Sequence, residues 1–443
     1  MTSEGFPVLQ EPGHQTLPQL AAGGPGALLV FQDQQRSVND VRAMLLDENA
    51  QPVGQPFYLN VAGNAQYRPK MAAGVDGGGA AQKLVLWQDE RGVDLDLYAA
   101  RVDENGVSLD ATAIAVAVAD GTQTPGGVIF SGGAYWMVWE DLRDGDADVY
   151  AARVMPDGSL VDTVGGFAVA AGAGGQGTPA VAADGAGGVT LAYSDDARGE
   201  SAVWLVGVAA GGSVGTALQV SDAARPGFAP AMARGDGGVF VAWHAFDGLT
   251  QQVEGAFVAD GGAVLWGPQV LAASQSVQLR PTVAWDGTQF LVAWEDNRDR
   301  VYNVVGVLVG NEGSVSAAVT LGAADRNQFL PSATHDGEHF VVVWEESTDT
   351  GSDIRAQRVD ATGAPVDATA AYVTQGASPE RAPVVVADGP RSVSVAYSRP
   401  VVEYPYGASR IRLRTVGFNH PPQAVDQTVV TLEDTPVPLT LSA

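Results

Sequence analysis

Five places in the chain set a carboxylate two or three residues ahead of an arginine, just past an aromatic. They are Asp33 with Arg36, Asp89 with Arg91, Asp141 with Arg143, Asp196 with Arg198, and Asp296 with Arg298. Such pairs have two uses. Exposed, they form a rim of alternating charge that can hold a polar ligand; buried, they brace loops through charge-assisted hydrogen bonds. Repetition favours bracing, because a site for one ligand needs asymmetry, yet the rim reading stays open. Asymmetry enters where the pattern fails. His244 followed by Asp247 replaces the pair in one copy, Glu345-Glu346 in another, and Arg399 followed by Glu403, Tyr404 and Tyr406 in a third. His244, Glu345 and Tyr404 therefore join the paired residues as candidates for a binding rim.

Asp144, Asp146 and Asp148 alternate in the run Asp-Gly-Asp-Ala-Asp, a spacing that can hold calcium. The run lacks the glycine and the terminal glutamate of an EF-hand loop, with Met155 where that glutamate belongs. A calcium loop and a solvated hairpin are the two readings, and calcium is the one cofactor suggested. His335 and His339 flank an Asp-Gly turn without a third zinc ligand. No nucleophile elbow or phosphate loop is present. A catalytic carboxylate pair would leave no distinctive mark in so acidic a chain.

The elements that position these residues recur every 50–56 residues, in units marked by Pro18, Pro69, Pro125, Pro179, Pro230, Pro281, Pro331 and Pro383. A strand-rich repeat of this period indicates a propeller or a solenoid. In one unit, residues 281–285 lead into an Asp286-Gly287 hairpin signal, then an apolar run at 290–294, a polar loop, a third strand at 304–309 and a fourth near 319–321. The eighth unit offers three strands and then stops. Its missing fourth strand turns up at the other end of the chain, at residues 5–9 ahead of the first proline. A ring closed by that strand leaves no open sheet edge, whereas a solenoid would need polar caps. The expectation is all-β: an eight-bladed β-propeller of four-stranded antiparallel blades over residues 1–418, closed by the N-terminal strand in the last blade.

An aromatic ends the second strand of every unit: Phe31, Trp87, Trp139, Tyr193, Trp243, Trp294, Trp344 and Tyr397. Inter-blade packing is the principal reading and a sugar-stacking surface the other. The 443 residues carry 51 acids against 24 Arg and Lys, a formal charge of −27, with Lys70 and Lys83 the two lysines. That field disfavours nucleic acid and anionic membranes. Cysteine is absent, which excludes disulfides and thiolate metal sites, and no apolar run is long enough for a transmembrane helix.

The repeat core, Phe-Leu-Val-Ala-Trp-Glu-Asp-x-Arg at 290–298 with Asp-Val-Tyr-Ala-Ala-Arg-Val at 148–154, resembles repeats of secreted or surface bacterial β-propellers and, more weakly, TolB-type blades. Residues 419–436 resemble the opening of the Ig-like or cadherin-like modules that stand in tandem in bacterial surface proteins. That resemblance implies residues 419–443 are a linker and the truncated start of such a module. It further implies a longer, exported chain at the cell surface, although Met1–Glu4 lead into the first strand with no leader. The function expected is a non-enzymatic binding or scaffold propeller of an adhesin type, engaging a glycan or a protein through its loop face. A polysaccharide hydrolase or lyase with carboxylates at the channel mouth, and a plain spacer, are the alternatives.

Overall fold

A computed structural model describes residues 6–8, 13–24, 26–34, 38–47, 50–59, 64–197, 199–322, 325–376, 378–401 and 408–417. Among these residues every named strand belongs to one of eight four-stranded antiparallel sheets, and there is no helix. Blade three is representative: Gln123–Ser131, Ala134–Asp141, Asp148–Val154 and Phe167–Ala170 pair in sequence order. The first strand of each blade touches the first strand of the next all the way round, so these eight strands form the innermost ring. The chain is an eight-bladed β-propeller.

The ring closes as the strand count requires. Blade eight comprises Arg381–Gly389, Ser392–Val401 and Ala408–Gly417, and its fourth strand is Phe6–Pro7. Phe6 lies opposite Leu413 and Pro7 opposite Arg412. Val8 donates its N–H to the Ile411 carbonyl at 3.1 Å and is buried with Phe31, Ile411 and Leu413. Residues 418–443, and with them the Ig-like resemblance, lie outside the described residues.

The second-strand aromatics account for blade packing. Trp139 packs with Leu84 and Leu86 of blade two, Trp243 with Val203 and Leu205 of blade four, and Trp294 with Phe240 of blade five. Trp87, Trp139, Trp243, Trp294 and Trp344 are each 0% exposed, so they fill the wedges between sheets and present no sugar-stacking face.

The repeat prolines sit inside the first strand, three residues after its start in most blades, as in Gln278–Trp285 around Pro281. A bulge makes this possible. The residue before the proline takes a left-handed conformation at Leu17, Arg68, Thr178, Ala229, Arg280, Leu330 and Ala382, with φ between 48° and 53°. Strand register slips at the same place. A residue preceding proline ordinarily prefers extended backbone, so each bulge is a local strain that the surrounding sheet must hold.

Candidate functional site

The aspartates of three Asp-x-Arg pairs, Asp89, Asp141 and Asp296, are buried. Asp89 is fully buried and accepts from Trp87 Nε1 at 3.0 Å, from Arg91 Nε and Nη2 at 2.9 and 2.6 Å, and from Gln66 Nε2 at 3.2 Å. Arg91 in turn lies over the Tyr98 ring at 3.7 Å. Asp141 repeats the arrangement with Trp139 and Arg143, and Arg143 lies over Tyr150 at 4.0 Å. Asp296 does so with Trp294 and Arg298. Burial alone would raise the Asp89 carboxyl, but the bonds from Arg91 and Trp87 outweigh it and hold the group below the ordinary carboxylate range. Asp296 is lowered by the same balance, with Arg298 the main donor. In this arrangement the three pairs serve as braces, with their carboxylates buried.

In blades two, six and seven a glutamine at the start of the first strand links the second strand to the preceding blade. Gln66 Oε1 accepts the Val41 N–H of blade one at 2.9 Å while its amide reaches Asp89. Gln278 links Val253 to Asp296, and Gln328 links Val304 to Glu346. Gln15 accepts the Ile411 N–H at 3.1 Å, so the neighbour-blade half of the device also spans the closure. The sequence carries the signal, since Gln15, Gln66, Gln176, Gln278 and Gln328 stand three residues before a repeat proline. Blade eight exchanges the charges: Glu380 occupies the glutamine position and pairs with Arg399 Nε at 3.3 Å. Burial pushes the Glu380 carboxyl up to about 7.

A second latch joins the second strand to the next bulge in blades three, four, six and seven. Glu140 accepts the Thr178 N–H at 3.2 Å, Ser194 the Ala229 N–H at 3.3 Å, Glu295 the Leu330 N–H at 2.8 Å, and Glu345 the Ala382 N–H at 3.4 Å. Glu345 is therefore a latch residue. His244 holds this position in blade five, and its buried Nδ1 has no hydrogen-bond partner among the described residues. Burial, and then Arg280, lower the imidazole to about 4, so it is neutral at physiological pH.

Around His244 lies a cleft of about 570 Å³. Its walls come mainly from blades four and five, with Ala147 of blade three at the edge, and include Thr178, Ser194, Asp196, Phe228, His244 and Gln251. Phe228 and His244 are paired across their hairpin and stack with ring centres 5.6 Å apart and planes at 24°. Asp196 is exposed and accepts the Gly175 N–H at 2.6 Å. Of the residues singled out from the sequence, the cleft unites Asp196 and His244.

The others fall elsewhere. In blade four the brace position belongs to Asp195, which accepts the Ala197 N–H at 2.8 Å; the Asp196–Arg198 pairing is one residue out of register. Arg198 and Tyr404 lie outside the described residues. Asp144, Asp146 and Asp148 do not converge as a calcium loop would require. Asp148 is buried and accepts the Gly172 N–H at 3.1 Å, while Asp144 and Asp146 stay exposed. No group of three His, Cys, Asp or Glu capable of holding a metal occurs among the described residues.

Neither a protein-family model nor a curated protein sequence matches the chain. Among solved structures it is similar to a TolB from Agrobacterium tumefaciens, described as putative, at 17% identity and TM-score 0.35, over 58% of this chain and 81% of that one. It is similar to a PL25 ulvan lyase at 11% identity and TM-score 0.49, over 92% and 94%. The β-propeller domain of the trilobed protease from Pyrococcus furiosus, described as having an open velcro topology, matches at 8% and 0.49, over 83% and 97%. The fold assignment here rests on the strand pairing.

Proposed function

We propose that this propeller is a glycan-binding domain and that the cleft between blades four and five is its site. The Phe228–His244 stack carries the reading. It breaks the eightfold pattern and sets a flat apolar face with a neutral imidazole in the cleft wall. Sugars present both a C–H face, which stacks on rings, and hydroxyls, which need paired polar partners. Thr178, Ser194, Gln251 and Asp196 supply those partners around the stack. With Asp196 in the wall and a chain charge of −27, neutral sugars are favoured over acidic ones.

Binding without bond cleavage is the form of the proposal. Among the described residues lining the cleft Asp196 is the single acid, whereas glycoside hydrolysis generally uses two carboxyls. An exported, modular chain with the propeller at the cell surface belongs to the same proposal, supported by the resemblance of residues 419–436. The test is a glycan array probed with the wild type and with Phe228→Ala. Binding that this substitution abolishes, with no product released, supports the reading; release of shortened product moves it to the hydrolase or lyase class.

A further inference from the structure

The innermost strands invert the charge of the molecule. They carry Arg68, Lys70, Arg234, Arg280 and Arg381 against one acid, Asp388, in a chain where acids outnumber Arg and Lys by 51 to 24. Arg234 and Arg280 are ion-paired, to Asp260 and Glu295. Arg68 and Lys70 are different: neither side chain makes an ion pair or hydrogen bond among the described residues. They stand two residues apart on strand Gln66–Val75, with Arg68 exposed at the bulge and Lys70 half-buried beyond it. The positions in register with Lys70 in the other blades are Gln19, Gly127, Ala180, Ala231, Thr282, Ser332 and Val384, all uncharged. Packing therefore does not demand a cation there.

Two adjacent cations without a counter-ion repel each other, and a partly buried ammonium also loses hydration. Burial first, and then Arg68, hold the Lys70 ammonium below the ordinary lysine range. Lys83, the other lysine, is accounted for: its Nζ donates to the Gly23 carbonyl at 2.6 Å. In a chain with a large surplus of acids, no carboxylate among the described residues pairs with either cation on this innermost strand.

We propose that Arg68 and Lys70 form an oxyanion site on the inner wall of blade two, taking a sulfate, phosphate or carboxylate group. Arg68 supplies a planar fork for two oxygens and Lys70 a point charge behind it. The site is independent of the glycan cleft, which lies on blades four and five and carries an acid of its own.

Protein labelled with [13C]lysine tests this directly, because the ε-resonances of only two side chains appear and Lys83 serves as an internal control. Sodium sulfate, sodium phosphate and sodium acetate are each titrated in at ionic strength held constant with chloride. A saturable shift of Lys70, a rise in its titration midpoint and a still Lys83 are expected with at least one anion. Arg68→Gln should then weaken that binding by about tenfold or more, since a charge-assisted bond is lost. The variant's Lys83 resonance certifies its fold. The proposal is overturned if Lys70 responds to none of the three, moves without saturating, or binds as tightly in Arg68→Gln.

Discussion

Replacing Asp89 with alanine separates a brace from a ligand rim. The substitution removes the acceptor for the buried Trp87 indole N–H, for Gln66 and for the Arg91 fork. A buried donor left without a partner costs about 2 kcal/mol. The ion pair adds about 1 kcal/mol, kept at the low end because the Arg91 side chain is 29% exposed and solvent screens it. The sum is about 3 kcal/mol, which for a cooperative unit of this length lowers Tm by about 3 °C. Differential scanning calorimetry reads this, with glycan binding measured in parallel on the folded variant. Because the Asp89 carboxyl is lowered, its stabilisation is complete above the ordinary value of 3.8 and fades as pH falls below it. The Tm gap between the wild type and Asp89→Asn should therefore close in that acid range. An unchanged melting curve in Asp89→Ala, together with lost glycan binding, would refute the bracing argument.

His244→Glu should install in blade five the latch that Glu140, Glu295 and Glu345 provide elsewhere, raising stability by about 1 kcal/mol in calorimetry while abolishing glycan binding. His244 is lowered to about 4 from 6.5, so the wild type should lose stability as pH falls through that window, where the unfolded chain gains a proton first. In His244→Gln that part of the loss should vanish from pH-dependent denaturation curves. Gln278→Leu leaves the Val253 N–H, bonded at 2.7 Å, without its acceptor; about 2 kcal/mol should be lost and Val253 should exchange its amide hydrogen faster. Removing residues 1–8 deletes the pairing to Leu413 and Arg412 and the buried Val8, so Tm should fall sharply; an unchanged Tm would sink the closure argument.

The architecture was legible because propellers write themselves in punctuation: a proline per unit, Asp-Gly turns, a second strand apolar throughout and one strand missing at the far end. Strand starts were less legible, since continuing through Pro281 requires a left-handed Arg280 that local propensity disfavours. The direction of the Asp-x-Arg carboxylates could not be read from spacing alone. It depends on a glutamine far away in sequence, as Gln66 is from Asp89. In blade four, adjacent Asp195 and Asp196 both fit the pattern, and the spacing to Arg198 does not tell the brace position from the exposed carboxylate. His244 was visible as a deviation. Its partner Phe228 was not, because their stacking follows from the hairpin register and the cleft from the packing of two blades.

The central claim is that the blade four–five cleft binds a glycan without cleaving it. Isothermal titration of the strongest array hit against the wild type, Phe228→Ala and Asp89→Asn tests it most directly. The account predicts saturable binding by the wild type and by Asp89→Asn, none by Phe228→Ala, and an unaltered sugar recovered afterwards. Binding that survives Phe228→Ala but fails in Asp89→Asn would contradict it.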